Sequence, residues 1–95
     1  MEGEFFEWDD EKAELNLKKH DISFEEAKSV FYDSLSITIP DNSHSIEEHR
    51  FIIIGYSDEQ RQIVVAHTER DDKIRIISAR LATAGEKKKY EQETE

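Results

Sequence analysis

The sequence predicts an α+β fold, an antiparallel sheet with helices packed on it, in the order β-α-α-β-β-β-β-α. Three observations predict it. Two apolar runs, Ile63–Ala66 and Ile74–Ala79, flank an Asp71-Asp72 pair, and aspartate tolerates the backbone angles of a tight hairpin turn. From Leu35 the apolar period is two, Leu35, Ile37 and Ile39 alternating with Ser36 and Thr38, as in a half-buried strand. Helix-start patterns stand on both sides of this strand-rich region, Ser23 with Glu26 and Thr83 with Glu86, each a capping box in which side chain and backbone bond reciprocally.

In chain order, Phe5-Phe6-Glu7-Trp8 is a short aromatic strand with Phe6 and Trp8 on one face. Asp9 or Asp10 caps a helix running to His20. Its apolar face is thin, made of Ala13, Leu17 and the His20 ring, and Lys18, Lys19 and His20 suit the dipole of its last turn. Phe24, Ala27, Val30 and Phe31 form the buried stripe of the second helix. The strand from Leu35 stops at Pro40. Asp41–His49 is a polar loop, Phe51–Tyr56 a central strand, and Ser57–Gln62 the turn before the hairpin. The last helix runs from Thr83 through Lys87, Lys88, Lys89 and Tyr90, with Tyr90 as its anchor and Gly85 weakening its first turn.

With Asp71 and Asp72 as a two-residue loop, Arg70 pairs with Lys73, Thr68 with Arg75 and Ala66 with Ile77. One face then carries Val64, Ala66, Thr68, Arg70, Lys73, Arg75, Ile77 and Ala79. The other carries Ile63, Val65, His67, Glu69, Ile74, Ile76, Ser78 and Arg80, and its bulkier apolar set places it against the core.

Ninety-five residues make one domain, 1–95, with 1–4 and 91–95 frayed. The chain has no cysteine, which removes disulfides and thiolate metal sites and suits a reducing cytoplasm. No leader pattern or membrane-length apolar run is present. The net charge of -10 argues against a general nucleic-acid binder. The charge is uneven, however: residues 1–60 hold 5 Lys/Arg against 16 Asp/Glu, residues 61–90 hold 8 against 4, and the tail 91–95 adds -3. A polyanion is therefore a possible local ligand of the hairpin, and a basic partner suits the acidic half.

The histidines at 20, 44, 49 and 67 lack metal-ligand spacing. His44 and His49 with Glu47 and Glu48 are a loose chelating group at most, or simply solvated loop residues. Neither a phosphate-binding glycine loop nor a nucleophile elbow is present, so no cofactor is expected. Arg70, Lys73 and Arg75 beside Thr68 form a cationic cluster suited to phosphate, or hairpin-end ion pairs with Glu69, Asp71 and Asp72. His67 is either a proton carrier near neutral pH or a satisfied core histidine. Arg80, on the presumed core side, needs a partner. Glu11, Glu14 or Glu26 is the structural choice, a phosphate or another chain the functional one. Lys87–Lys89 is a solvated face or a phosphate track.

Phe6-Glu7-Trp8-Asp9, Asn16-Leu17-x-Lys19-His20, Ser23-Phe24-Glu25-Glu26-Ala27, His67-Thr68-Glu69-Arg70 and Arg75-Ile76-Ile77-Ser78-Ala79-Arg80 occur in this order, closed by the Glu86–Tyr90 helix. The set resembles the BrnT family of type II toxins over residues 5–91. The resemblance implies a RelE-like fold and a metal-independent endoribonuclease that inhibits translation and growth. It also implies a BrnA-type antitoxin with a ribbon-helix-helix DNA-binding domain, through which alone operator DNA is reached. Attack of a ribose 2′-hydroxyl on the adjacent phosphate needs charge stabilisation and proton transfer. Carried over, Arg70, Arg75 and Arg80 are the phosphate-stabilising candidates and His67 or Glu69 the base. Lys73, Lys19, His20, Lys87 and Lys88 are RNA-binding candidates. The alternative is a non-catalytic RelE-like module serving as antitoxin partner and co-repressor. Asp21 stands where the family usually has glycine, so the first helix ends with Asp in a left-handed conformation or by another route.

Overall fold

Asp71 and Asp72 take φ of 53° and 65°, the two left-handed residues of a hairpin turn whose twist matches its strands. In this computed structural model, which describes residues 5–41 and 49–94, the turn joins strands β4 (Gln62–Arg70) and β5 (Lys73–Leu81). The chain begins with β1 (Phe6–Glu7), α1 (Asp10–His20) and α2 (Phe24–Ser29), with a 3-10 turn at Val30–Tyr32. β2 (Ile37–Pro40) and β3 (Arg50–Tyr56) precede the hairpin, and α3 (Ala84–Thr94) follows it, running past Tyr90. The sheet order is β1-β5-β4-β3-β2. β2 to β5 are antiparallel as expected, but β1 lies parallel to β5 at the edge, pairing Phe6 with Ile74. The connection from β1 to β5 carries most of the chain, which leaves direction free, whereas a two-residue turn forces reversal.

The helix boundaries follow local chemistry. Asp9 accepts from the N–H groups of Glu11 and Lys12 at 2.8 and 3.1 Å. The Ser23 hydroxyl accepts from Glu26 N–H at 3.0 Å. α1 ends with Asp21 at φ 58° and ψ 35°, its N–H bonded to Leu17 O, the left-handed option left open by the sequence.

The buried face of α1 differs from expectation. Leu17 is 48% exposed and Leu15 65%, while Asn16 is buried. Asn16 Nδ2 donates to Ile22 O at 3.0 Å and to Ala79 O at 2.9 Å, and its Oδ1 accepts from Ala79 N–H at 3.0 Å. An amide can bond both backbone groups of one residue, which no aliphatic side chain can do. The thin apolar stripe of α1 is sufficient because this amide docks the helix.

The main core lies between the sheet and α1–α2, around Phe6, Ile22, Phe24, Val30, Ile53, Ile63, Val65 and Ile76. A smaller cluster on the other face joins Ile54 and Val64 to Tyr90 of α3. Ile63, Val64 and Val65 are consecutive and all buried, because the middle of β4 is covered on both sides. Tyr90 donates to Asp33 Oδ2 at 2.8 Å, which also accepts from Tyr56 N–H at 2.8 Å.

The expected pairings Arg70–Lys73 and Thr68–Arg75 are present, but Ala66 faces Ser78 and not Ile77. The register shifts between Ala66 and His67, where His67 faces Ile76. Ile77 is the extra residue, a β-bulge that reverses the parity of everything after it. Ala79, expected on the open face, is fully buried in the main core. Arg80, expected on the core side, is opposite Val64 on the other face. Small Ala79 fits against Asn16 where a long arginine does not.

Candidate functional site

The face away from α1 and α2 carries a transverse row of polar side chains. Glu7 is opposite Arg75, Arg75 opposite Thr68, and Thr68 opposite Arg50. At the far edge Asp41 N–H donates to Arg50 O at 2.9 Å, continuing the Ile37, Ile39, Asp41 alternation of β2. Adjacent strands are about 4.8 Å apart, so Arg75 and Arg50 flank Thr68 across roughly 10 Å of sheet. Arg70 and Lys73 form the next same-face pair toward the hairpin tip. Among the described residues neither makes an ion pair, so the expected neutralisation by hairpin-end carboxylates is not what holds them.

Beyond the row, a hollow of about 290 Å³ is lined by Asp41, Arg50, Ile52, Val64, Ala66, Ile77, Ser78 and Arg80. Its position follows from the bulge, which turns Arg80 onto the face that carries Arg75 and Arg50. Arg80 Nη1 and Nη2 reach Glu86 Oε1 and Oε2 at 2.7 and 2.9 Å. Its partner thus comes from α3, and not from Glu11, Glu14 or Glu26. The Glu86 carboxyl is held down to about 2, first by the Arg80 hydrogen bonds, against the opposing effect of burial. Glu26 instead pairs with Arg61 and accepts from the Ser57 hydroxyl at 2.6 Å.

Arg75 Nη1 lies 3.3 Å from Glu7 Oε2, both side chains being under a third exposed. The Thr68 hydroxyl, almost fully buried, donates to His49 O. The row is thus braced at Arg75 by Glu7 and at Thr68 by the His49 carbonyl, and a guanidinium group is a fork suited to a bidentate anion.

The other expected site residues are elsewhere. His67 is buried on the helix-covered face, edge-on to Phe31 at 4.9 Å and stacked on Phe51 at 5.9 Å. Burial pushes its pKa below the ordinary value, so it is a core histidine and not a base facing the arginines. The physical reason is strand alternation, which turns His67 away from Thr68. Glu69, opposite Ile74, points to the same far face, exposed near the hairpin end. Lys19 and His20 end α1 on that side too. Lys87 and Lys88 are exposed on α3, with Lys87 beside Gln62 and Leu81 at the opposite end of the strands from the hairpin tip. His44, Glu47 and Glu48 of the suggested chelating group lie outside the described residues.

Asp41 and Arg50 were missed by sequence reasoning, which assigned both to a polar loop and its edge. The period-two pattern held the signal: extended one step, Ile37 and Ile39 lead to Asp41, and Ile54 and Ile52 lead back to Arg50. A wider groove of about 1050 Å³ is lined by Asp21, Glu25, Glu26, Asp33, Asp58 and Glu59 against Lys28 and Arg61. Its acidic lining disfavours a phosphate ligand despite its size. No helix among the described residues is long and apolar enough to cross a membrane.

A family model described as the ribonuclease toxin BrnT of type II toxin-antitoxin systems matches residues 8–86. The chain is similar to the crystal structure of the Brucella abortus ribonuclease toxin BrnT, with a TM-score of 0.64 and 20% identity. The alignment covers 83% of this chain and 97% of that one, and at this identity the likeness concerns the fold. No curated protein matches the chain.

Proposed function

This chain belongs to the BrnT family of ribonuclease toxins of type II toxin-antitoxin systems, and on that premise we propose that it cleaves RNA on the open face of its sheet. The observation that carries the reading is the row in which Arg75 and Arg50 flank Thr68, with Arg80 closing the adjoining hollow. Arginines stay charged and present planar forks. Placed on one rigid sheet they suit the extra negative charge that develops when a 2′-hydroxyl attacks its neighbouring phosphate. Arg70 and Lys73 extend the cationic surface along the hairpin and draw the strand in, despite the chain's net charge of -10. The reaction is metal-independent and arrests growth in the cytoplasm. An antitoxin of the BrnA type, a ribbon-helix-helix protein, neutralises the chain and carries the complex to operator DNA.

The test is growth and RNA integrity after inducing the chain alone, beside Arg75→Ala and Arg50→Ala at equal soluble level. Arrest with RNA fragments, relieved by either substitution and by the neighbouring antitoxin gene, supports the reading. Purified protein should cleave in the presence of EDTA. Each arginine lost should lower the salt slope of single-stranded RNA binding by about 0.7.

One observation favours a second reading, a non-catalytic partner and co-repressor: Glu86 already occupies the Arg80 fork. Normal growth and intact RNA with abundant folded protein would favour it.

A further inference from the structure

In the stretch Phe6-Glu7-Trp8-Asp9 three members are structural. Phe6 is buried in the main core, edge-on to Phe31 at 5.2 Å, and Trp8 packs edge-on to Phe24 at 5.9 Å. Asp9 caps α1. Glu7 turns instead to the open face, opposite Arg75. We propose that Glu7 is a proton-accepting catalytic residue of this surface, taking the proton of the ribose 2′-hydroxyl that attacks a phosphate held by Arg75. The inference rests on the RNA-cleavage reading and deepens it.

The Glu7 carboxylate is placed directly against a cation of the row. Its Oε2 lies 3.3 Å from Arg75 Nη1, the two side chains being 28% and 29% exposed. Among the described residues Glu7 Oε1 makes no hydrogen bond, and neither do Arg75 Nε and Nη2. One planar guanidinium therefore carries a carboxylate on one nitrogen and open donors on the others. A phosphate on those donors, about 2.8 Å from nitrogen, stands on the order of 5 Å from the carboxylate. An attacking oxygen approaches phosphorus to about 3–3.5 Å. A ribose on the Glu7 side of that phosphate thus brings its 2′-hydroxyl to Oε1, the reach that a general base requires.

The backbone fixes this placement. Glu7 stands between two aromatic side chains packed on the core, and β1 is tied to β5 beside it, where Ile74 N–H donates to Phe5 O at 2.7 Å. A strand of two residues adds little to a sheet by itself. Its parallel pairing nevertheless sets Glu7 beside the arginine that flanks Thr68. A carboxylate held in this way needs little reorganisation before it accepts a proton.

In the step, the Glu7 carboxylate takes the 2′-hydroxyl proton as O2′ bonds the adjacent phosphorus, and Arg75 holds the added charge through its open donors. The P–O5′ bond breaks and the leaving O5′ takes a proton from water. The proton on Glu7 then passes to the hydroxide left behind. The products are a 2′,3′-cyclic phosphate and a 5′-hydroxyl.

Glu7→Gln keeps the length of the side chain and an oxygen for Arg75, and removes the basicity. Purified wild-type and variant chains are compared on a single-stranded RNA oligonucleotide by the rate at which 2′,3′-cyclic phosphate ends form. The variant's kcat should fall at least about a hundredfold. Its KM, and its affinity for a 2′-O-methyl oligonucleotide that resists this cleavage, should stay within about threefold of wild type, and it should melt with the wild type. Any smaller fall in kcat overturns the inference, and loss of cleavage in Arg75→Ala then leaves the RNA-cleavage reading standing. A fall in kcat together with loss of oligonucleotide binding or melting temperature also overturns it, in favour of Glu7 as a brace for Arg75. Absence of cleavage by the wild-type chain overturns both.

Discussion

Arg80 and Glu86 meet through two parallel hydrogen bonds of 2.7 and 2.9 Å, joining the end of β5 to the first turn of α3. The same carboxylate accepts from Thr83 N–H at 2.9 Å, while Glu86 N–H donates to the Thr83 hydroxyl at 3.2 Å. Helix cap and ion pair are therefore one unit.

Glu86→Gln should cost about 1 kcal/mol, since Arg80 is partly exposed and solvent screens the pair. The Glu86 carboxyl falls from 4.5 to about 2 on folding. Its contribution is thus complete above pH 4.5 and lost as pH falls toward 2. Denaturant melts at pH 6 and pH 3 should show the wild type losing more stability than Glu86→Gln. Equal losses would mean that the pair does not bind protons as described.

Asn16→Ala should be among the most damaging changes in α1. It leaves Ala79 N–H, Ala79 O and Ile22 O unpaired in the core, at a cost of about 2–4 kcal/mol and roughly 10–20 °C in Tm. Leu17→Ala, at a half-exposed position, should shift Tm by only a few degrees. Thermal unfolding of both variants checks the contrast, and a reversed order would contradict the docking role of the amide.

Acid should weaken the main core through His67. Burial lowers its pKa below 6.5 on folding, so the unfolded chain takes up the proton first as pH falls. The stability that depends on a neutral imidazole is complete above about pH 6.5 and declines below it. His67→Phe should lose less stability than the wild type between pH 7.5 and 5.5 in urea melts. An unchanged difference would show that His67 titrates alike in both states.

Gly55→Ala should destabilise by about 1–3 kcal/mol through overpacking. A Cβ there meets Asp33 Oδ2 and Ser36 Cβ at 3.0 Å and Val30 Cγ1 at 3.1 Å. Because Asp33 holds both Tyr56 N–H and the Tyr90 hydroxyl, a displaced carboxylate should also loosen α3. Amide exchange in α3 should quicken in this variant, and unchanged protection would separate Gly55 packing from the Tyr90 anchor.

Local chemistry was legible from the residues alone. The hairpin turn at Asp71-Asp72, the reciprocal capping box of Thr83 and Glu86, the Ser23 cap of α2 (whose Glu26 carboxylate turns to Ser57 and Arg61 and does not complete the box), the left-handed end of α1 as one option and the buried stripe of α2 each depend on a few adjacent residues. So did the shared face of Arg70, Lys73 and Arg75, since strand alternation holds from the turn as far as Ile76. Tertiary packing decided the rest. Whether β5 carries an extra residue depends on which of Ala79 and Arg80 fits against Asn16, a contact 63 residues distant in the chain. That single parity change moved Arg80 to the open face and gave it Glu86 as partner. The joining of Asp41 and Arg50 to Arg75 likewise arises from three strand pairings, and no one strand contains the site.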